Sequence, residues 1–371
     1  MLAEERHEAI LRELSRKGSV RVADLAASLG VSAVTIRHDV RELAGRGLLT
    51  RVHGGALSAP VTSGDGAAVE QLVRERAPEP ETERDAAGRE PYVLGMLVPQ
   101  AAYYYPAVIR GAQAVARELG ARITLAVSRY DLKEDRRQVA QLRASGVDGL
   151  LLTPSEDPTR SLQTEQWVNE LDLPVVLVER RSSWPVDRVE QVATDHGYGA
   201  YLATCHLARL GHDQVALFAR ESKTTPWIRE GYERAQRSLG LREGHLHLVP
   251  LSEADDPVPM DEHVDAFVRL VATGAVTAAL VHNDMDALLL VRSLRARGIS
   301  IPGDLAIATY DDEVAALADI PLTAVSPPKQ AVGAEAVRML VDRLDNPDRP
   351  LRSVLLRPEL RVRASCGAPG R

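Results

Sequence analysis

Three patterns of apolar and polar positions follow one another along the chain. In residues 1–57 the apolar positions Ile10, Leu11 and Leu14, then Val22, Leu25 and Leu29, recur at helical spacing and predict two short amphipathic helices. Gly30 ends the second, and Ser32 is placed to cap a third that runs through SAVTIRHDVRELAGRG. Val34, Ile36, Val40, Leu43 and Ala44 form the buried face of that third helix, and LLTRVHGGAL then alternates as a short pair of strands. Residues 58–90 lose the periodicity: they are rich in Pro, Gly, Ala and Glu and read as a flexible acidic linker, with one short possible helix over 67–76. From 91 to 365 the pattern changes again. Near-continuous apolar runs at 92–98, 122–127, 149–153, 175–179, 191–194, 214–218, 278–281 and 305–309 predict strands. Helical stretches at 107–119, 134–145, 197–210, 228–239, 261–272, 286–297 and 329–344 separate most of them. Apolar strands each followed by a helix predict a parallel sheet covered on both faces. Eight strands are too many for one compact open sheet, so two doubly wound lobes are expected ahead of the competing closed barrel.

Charge sharpens this division. The 371 residues carry a formal charge of −7, but residues 1–57 hold nine Lys and Arg against seven Asp and Glu, a net of +2. The linker stands at −4 and the remainder at −5, so the N-terminal segment alone has the sign that favours a polyanion. Cys205 and Cys366 are the two cysteines, which excludes a disulfide framework. The first residues, MLAEERHEAILRELSRKG, have no continuous hydrophobic stretch for secretion, and no apolar run reaches the roughly 18 residues of a membrane span. A cytoplasmic protein is expected.

The third helix carries the first candidate chemistry. Thr35, Arg37, His38 and Arg41 fall largely opposite its apolar face, where arginine can pair bidentately with guanine and Thr or His can reach phosphates or base edges. Arg51 and His53 would lie on the wing beside the phosphates. A small helical bundle with a solvated charged face is the plain alternative. The wording VADLAASLGVSAVTIRHDVRELAGRGLLTRVHGGA, however, resembles the DeoR-type winged helix, with its VS-x-x-TIRRDL signature and closing R-x-HGGA, over residues 4–57. The resemblance implies that residues 1–57 read double-stranded operator DNA, with Ser32, Thr35, Arg37, His38, Arg41, Arg51 and His53 as the contact set. His38 stands where that family usually has a second arginine.

The remainder does not resemble the sugar-phosphate-isomerase-like sensor usual in that family. YVLGMLVP with VIRGAQAVARELG, VDGLLLTP, LPVVLVERR, VATDHGYGAYLATCHLARLGH, AALVHNDMDALLLVRSLRARGISIPGDLAIATYDD and IPLTAV occur in an order and spacing similar to the LacI-type regulator core. That resemblance implies an α/β fold: a two-lobed, doubly wound parallel-sheet sensor like the periplasmic binding proteins, preceded by a small winged-helix domain. Lobe 1 would comprise about 91–193 plus 326–345, and lobe 2 about 194–325 plus 350–365. A small polar effector, a carbohydrate by resemblance, would bind between the lobes of a homodimer. Tyr104 and Tyr105, in a run of three tyrosines, match the aromatic pair that packs on the ligand, since rings stack on sugar faces while their hydroxyls hydrogen-bond. Buried rings anchoring a loop are the competing reading. Glu179 stands where that family commonly has aspartate, and Asp195, Asn283 and Asp311 match further ligand positions, an amide and a carboxylate each being able to take two neighbouring hydroxyls. Asp284 and Asp312 are open to either role, a ligand contact or a helix cap. In TTPWIREGYERA, Ile228 occupies the family's clamping-arginine position, so Trp227 or Arg229 is the candidate replacement.

A two-lobed α/β enzyme acting on a sugar or nucleoside is the rival reading. GxxxxGK[ST] and GxSxG are missing, and no GxGxxG follows the first strand. The pair His245-x-His247 reads as alternation within a strand, and His282 with Asp284 and Asp286 as a loop cluster, so neither a metal nor a cofactor is expected.

Overall fold

The computed structural model describes residues 3–17, 19–45, 49–52, 55–58, 91–181, 189–242, 244–249 and 260–369. The linker, with its expected helix over 67–76, lies outside them. At the N-terminus come α1 (Ala3–Lys17), β1 (Ser19–Arg21), α2 (Val22–Leu29), α3 (Ala33–Gly45), β2 (Leu49–Val52) and β3 (Gly55–Ser58). The three strands form an antiparallel sheet in the order β1-β3-β2, the wing. The helical spacing read from the sequence is what builds this core: Ile10, Leu14, Val22, Leu25, Ile36, Val40 and Leu43 are all buried together with Leu49 and Ala56. Gly30 closes α2 at φ +66°, a left-handed conformation that an L side chain resists, and its N–H bonds back to the Ala26 carbonyl.

Two six-stranded sheets follow, which excludes the closed barrel. The first unit carries β4 (Val93–Val98), α4 (Tyr105–Glu118), β5 (Arg122–Val127), α5 (Leu132–Ala144), β6 (Gly149–Leu152), α6 (Leu162–Asn169), β7 (Val175–Val178) and β8 (Val189–Thr194). α11 (Lys329–Asp345) and β14 (Ser353–Leu356) return to it after the second unit. All its strands are parallel, in the order β14-β8-β7-β6-β4-β5. Alternation decides its faces: Leu94, Met96 and Val98 pack under α4 and α11, whereas Leu97, Leu150 and Leu152 pack under α5 and α6. α4 and α11 approach so closely that a Cβ on Gly111 or Gly333 would lie 1.9 Å from a backbone carbonyl oxygen of the other helix.

The second unit contains α7 (His196–Arg209), β9 (Val215–Arg220), α8 (Thr225–Leu239), β10 (Leu246–Val249), α9 (Met260–Ala272), β11 (Ala278–His282), α10 (Asp284–Ala296), β12 (Ala306–Tyr310), β13 (Thr323–Ser326) and β15 (Glu359–Arg361). Its order is β10-β9-β11-β12-β13-β15, parallel except for the last pair. Here too the pleat sorts the side chains, with Phe218, Val281 and Ile307 under α9 and α10 and Leu217, Leu280 and Ala308 under α7 and α8. Two features depart from the sequence expectation. Segment 350–356 was assigned to lobe 2, but β14 pairs in parallel with β8, Ser353 opposite Gln191, and so belongs to the first unit. α6 was not expected, because little of SLQTEQWVN beyond Trp167 and Val168 is apolar. No helix among the described residues is long and apolar enough to cross a membrane.

Candidate functional site

The third helix of the N-terminal domain is capped as its sequence requires: the Thr35 N–H donates to Ser32 Oγ at 3.1 Å, and the two hydroxyls lie 2.8 Å apart. Ser32, His38 and Arg41 are exposed and Thr35 is half-buried. The side chains of Arg37 and Arg51, and the whole of His53, fall outside the described residues. What the sequence did not disclose is Asp39. It is buried on the same helix, and Arg6 of α1 grips it bidentately, Nε to Oδ2 at 2.9 Å and Nη2 to Oδ1 at 3.0 Å, with His7 Nε2 at 3.3 Å. The guanidinium hydrogen bonds hold the Asp39 carboxyl below the usual carboxylate range. A charge on an otherwise periodic helix reads as solvent-facing, and its partner is 33 residues away.

In the first unit the expected residues gather at the carboxyl ends of the parallel strands, where open α/β sheets bind ligands. Tyr104 precedes α4 and Tyr105 begins it, and both are buried, their rings edge-to-face at 5.6 Å and packed into the core under that helix. Tyr103 beside them is half-buried at φ +56°. Tyr104 Oη donates to Glu179 Oε1 at 2.7 Å, and Lys329 Nζ lies 5.1 Å from the Tyr104 ring centroid. Glu179, just past β7 at φ +54°, also accepts from the N–H and hydroxyl of Thr194 at 3.0 and 2.8 Å. Residues not singled out from the sequence complete this end. Arg180 is buried and donates to the carbonyls of Pro154 and Glu179. Burial raises the carboxyl pKa of Asp135, which accepts from the N–H and hydroxyl of Ser155. Thr153 Oγ1 is buried with no hydrogen-bond partner among the described residues.

The second unit has its own set. Asp195 caps α7 by accepting from Tyr198 N at 2.9 Å. Asn283 caps α10 through Oδ1, which accepts from Met285 and Asp286 N–H groups at 3.1 and 3.3 Å. Asp311 follows β12, is buried, and sits at φ +82° with Asp312 at +55°. Of the two roles left open for Asp284 and Asp312, the helix cap does not hold. Asp284, fully buried, accepts instead from the N–H groups of Val314 and Ala315 at 2.6 and 3.1 Å, pinning the loop beyond Asp311. Asp312 is held by Arg361 at 3.0 Å and Arg363 at 2.7 Å. Before Asp311, Tyr310 packs against His196 and His282, the two imidazole centroids each 5.7 Å from its ring. Burial lowers the His282 pKa and keeps that ring neutral. Arg220 pairs bidentately with Asp286. Of the two candidate clamps, Trp227 is half-buried, whereas Arg229 is exposed and bonded to Glu233 at 2.6 Å; Ile228 is fully buried.

Comparison with known proteins agrees with this architecture. A model of the DeoR-like helix-turn-helix domain matches residues 6–61, and one of the periplasmic binding protein-like domain matches residues 204–366. The fold is that of a periplasmic binding protein preceded by a helix-turn-helix. A structure of the transcriptional regulator CelR with cellobiose shares the binding-protein fold at a TM-score of 0.63 and 24% identity, covering 92% of this chain and 98% of that one. In sequence, the arabinose metabolism transcriptional repressor of Geobacillus stearothermophilus is 28% identical over 71% of this chain and 73% of its own length. The transcriptional repressor PurR of Aliivibrio fischeri strain MJ11 is also 28% identical, over 73% of this chain and 80% of its own.

Proposed function

We propose that the chain is a transcriptional repressor in which a DeoR-type winged helix reads operator DNA and a LacI-type core senses a small polar effector. The observation that carries this reading is the joining, in one chain, of a helix-turn-helix to a binding-protein fold whose relatives are named as repressors. Contact with the duplex falls to Thr35, Arg37, His38 and Arg41 on α3 and to Arg51 and His53 on the wing. Asp39 takes no direct part, because its charge is turned back on Arg6.

A sugar suits the sensor chemically, and two of the relatives are named for arabinose metabolism and for a complex with cellobiose. Asp311 can accept from two neighbouring hydroxyls, while Asn283, its oxygen engaged in the helix cap, has its amide N–H groups to offer. Asp195 and Trp227 complete the proposed set in the second unit, and Tyr104, Tyr105 and Glu179 are the candidates of the first unit. Arg229, engaged with Glu233 on the surface, is not needed in it. The protein works as a homodimer on two half-sites, since one winged helix offers little specificity alone. It binds the sugar without converting it. The test is a mobility shift of the full-length protein on fragments flanking its own gene, with and without a panel of pentoses, hexoses and cellobiose. Retention of one fragment, changed by one sugar that is recovered unaltered, supports the reading; no retained fragment at low salt overturns it.

A further inference from the structure

Between Arg229 and Asn283 in the sequence, two imidazoles face each other across an edge of the second unit. His247 lies on β10, the edge strand of its sheet, and His263 lies on α9, sixteen residues later. His247 Nε2 and His263 Nδ1 are 3.1 Å apart, with the ring planes at 78°. The sequence pointed to His245 as the companion of His247; the fold supplies His263 instead.

The first ring is fixed in place. His247 stacks on Phe218 at 5.1 Å with the planes 8° apart, and Phe267 meets it edge-on at 6.2 Å. Both phenylalanines are fully buried, so the imidazole has little freedom to turn away. His263 is half-buried, which leaves an approach from solvent.

We propose that His247 and His263 form a two-imidazole site for a late first-row divalent cation, of the nickel, copper or zinc class, that clamps β10 to α9. The separation is the physical argument. With metal–imidazole bonds of about 2.0–2.1 Å, nitrogens 3.1 Å apart subtend about 98° at a shared ion, between the octahedral and tetrahedral angles. Imidazole nitrogen is the donor these ions prefer among the side chains present here. Among the described residues no group of three or more His, Cys, Asp or Glu is gathered to hold a metal, so those residues supply two donors, His247 and His263. The position of the site matters because α9 leads directly into β11, at whose end Asn283 stands.

The experiment uses the full-length, tag-free protein and the metals alone. Nickel is titrated calorimetrically, and the copper-loaded protein is examined by electron paramagnetic resonance. The proposal predicts one ion per chain above the background of the other histidines, hyperfine structure from two imidazole nitrogens, and a melting temperature that rises with nickel. His263→Gln, on a half-exposed helix position that tolerates it, removes the specific ion, the two-nitrogen signature and the thermal shift; His247→Asn is the second variant, checked for folding by circular dichroism. Nickel binding equal in wild type and His263→Gln, or a copper signal from a single nitrogen, overturns the site and leaves the pair as a simple N–H···N hydrogen bond.

Discussion

Asp311 and Asp312 stand side by side in the left-handed region, a conformation that costs a non-glycine residue about 1–3 kcal/mol. The structure pins that turn from both sides, through Asp284 to the Val314 and Ala315 amides and through Arg361 and Arg363 to Asp312. Such strain clusters at ligand clamps and switch regions, and the proposed sugar contact Asp311 stands at this one. Asp284→Ala leaves two buried amides without their acceptor and should lower stability by about 1–3 kcal/mol, read from urea melts. The same variant should weaken sugar binding, because the turn relaxes. Asp311→Ala should remove sugar binding while leaving the DNA shift intact; an unchanged sugar affinity in titration calorimetry would show that the effector is held elsewhere.

Helix contacts decide the next scale. Gly333 faces the Val108 carbonyl, so Gly333→Ala must push α11 from α4 and should cost at least about 1–3 kcal/mol, seen as a lowered melting temperature. On the N-terminal domain, the link between α1 and α3 runs through a carboxylate whose folded pKa is depressed by Arg6. Its contribution is therefore complete above the ordinary carboxylate pKa and disappears as pH falls through the lowered folded value. Amide-exchange protection of α1 and α3 should drop over that acid range in the wild type, and should be low and insensitive to pH there in Asp39→Asn. Much at this scale was legible in the sequence. Periodicity placed α1, α2 and α3 and most parallel strands, because apolar side chains that alternate or recur are what the cores bury. β14 escaped, since its apolar run, Val354 to Leu356, is only three residues long and lies on an outer strand with alternate residues exposed. The strand-end positions of Glu179, Asn283 and Asp311 were also readable. The burial of Tyr104 and Tyr105 beside a more open Tyr103 was not, for three identical residues carry no directional signal, and neither were the anchoring roles of Asp284 and Asp312, which a capping aspartate shares in sequence.

For the whole molecule, the account requires that an effector taken up by the sensor alter an affinity expressed by the winged helix. A ligand can do this only to the extent that it binds two states of the protein differently. The 32 residues 59–90 connect the two domains, enough chain to reach about 110 Å if extended, so the route of coupling is tested on them. Deleting residues 61–88 should therefore leave DNA binding in place while changing its response to the sugar, measured as the ratio of affinities with and without it. Arg51→Ala should weaken all duplexes about equally and reduce the salt slope by about one. The most direct measurement is a fluorescence-anisotropy titration of the full-length protein on its own upstream fragment, repeated at saturating concentration of the sugar that stabilises it against heat. The account predicts a sequence-specific affinity that shifts with the sugar in the wild type and is fixed in Asp311→Ala. Specific DNA binding identical with and without a sugar demonstrably bound to the wild-type sensor would contradict it.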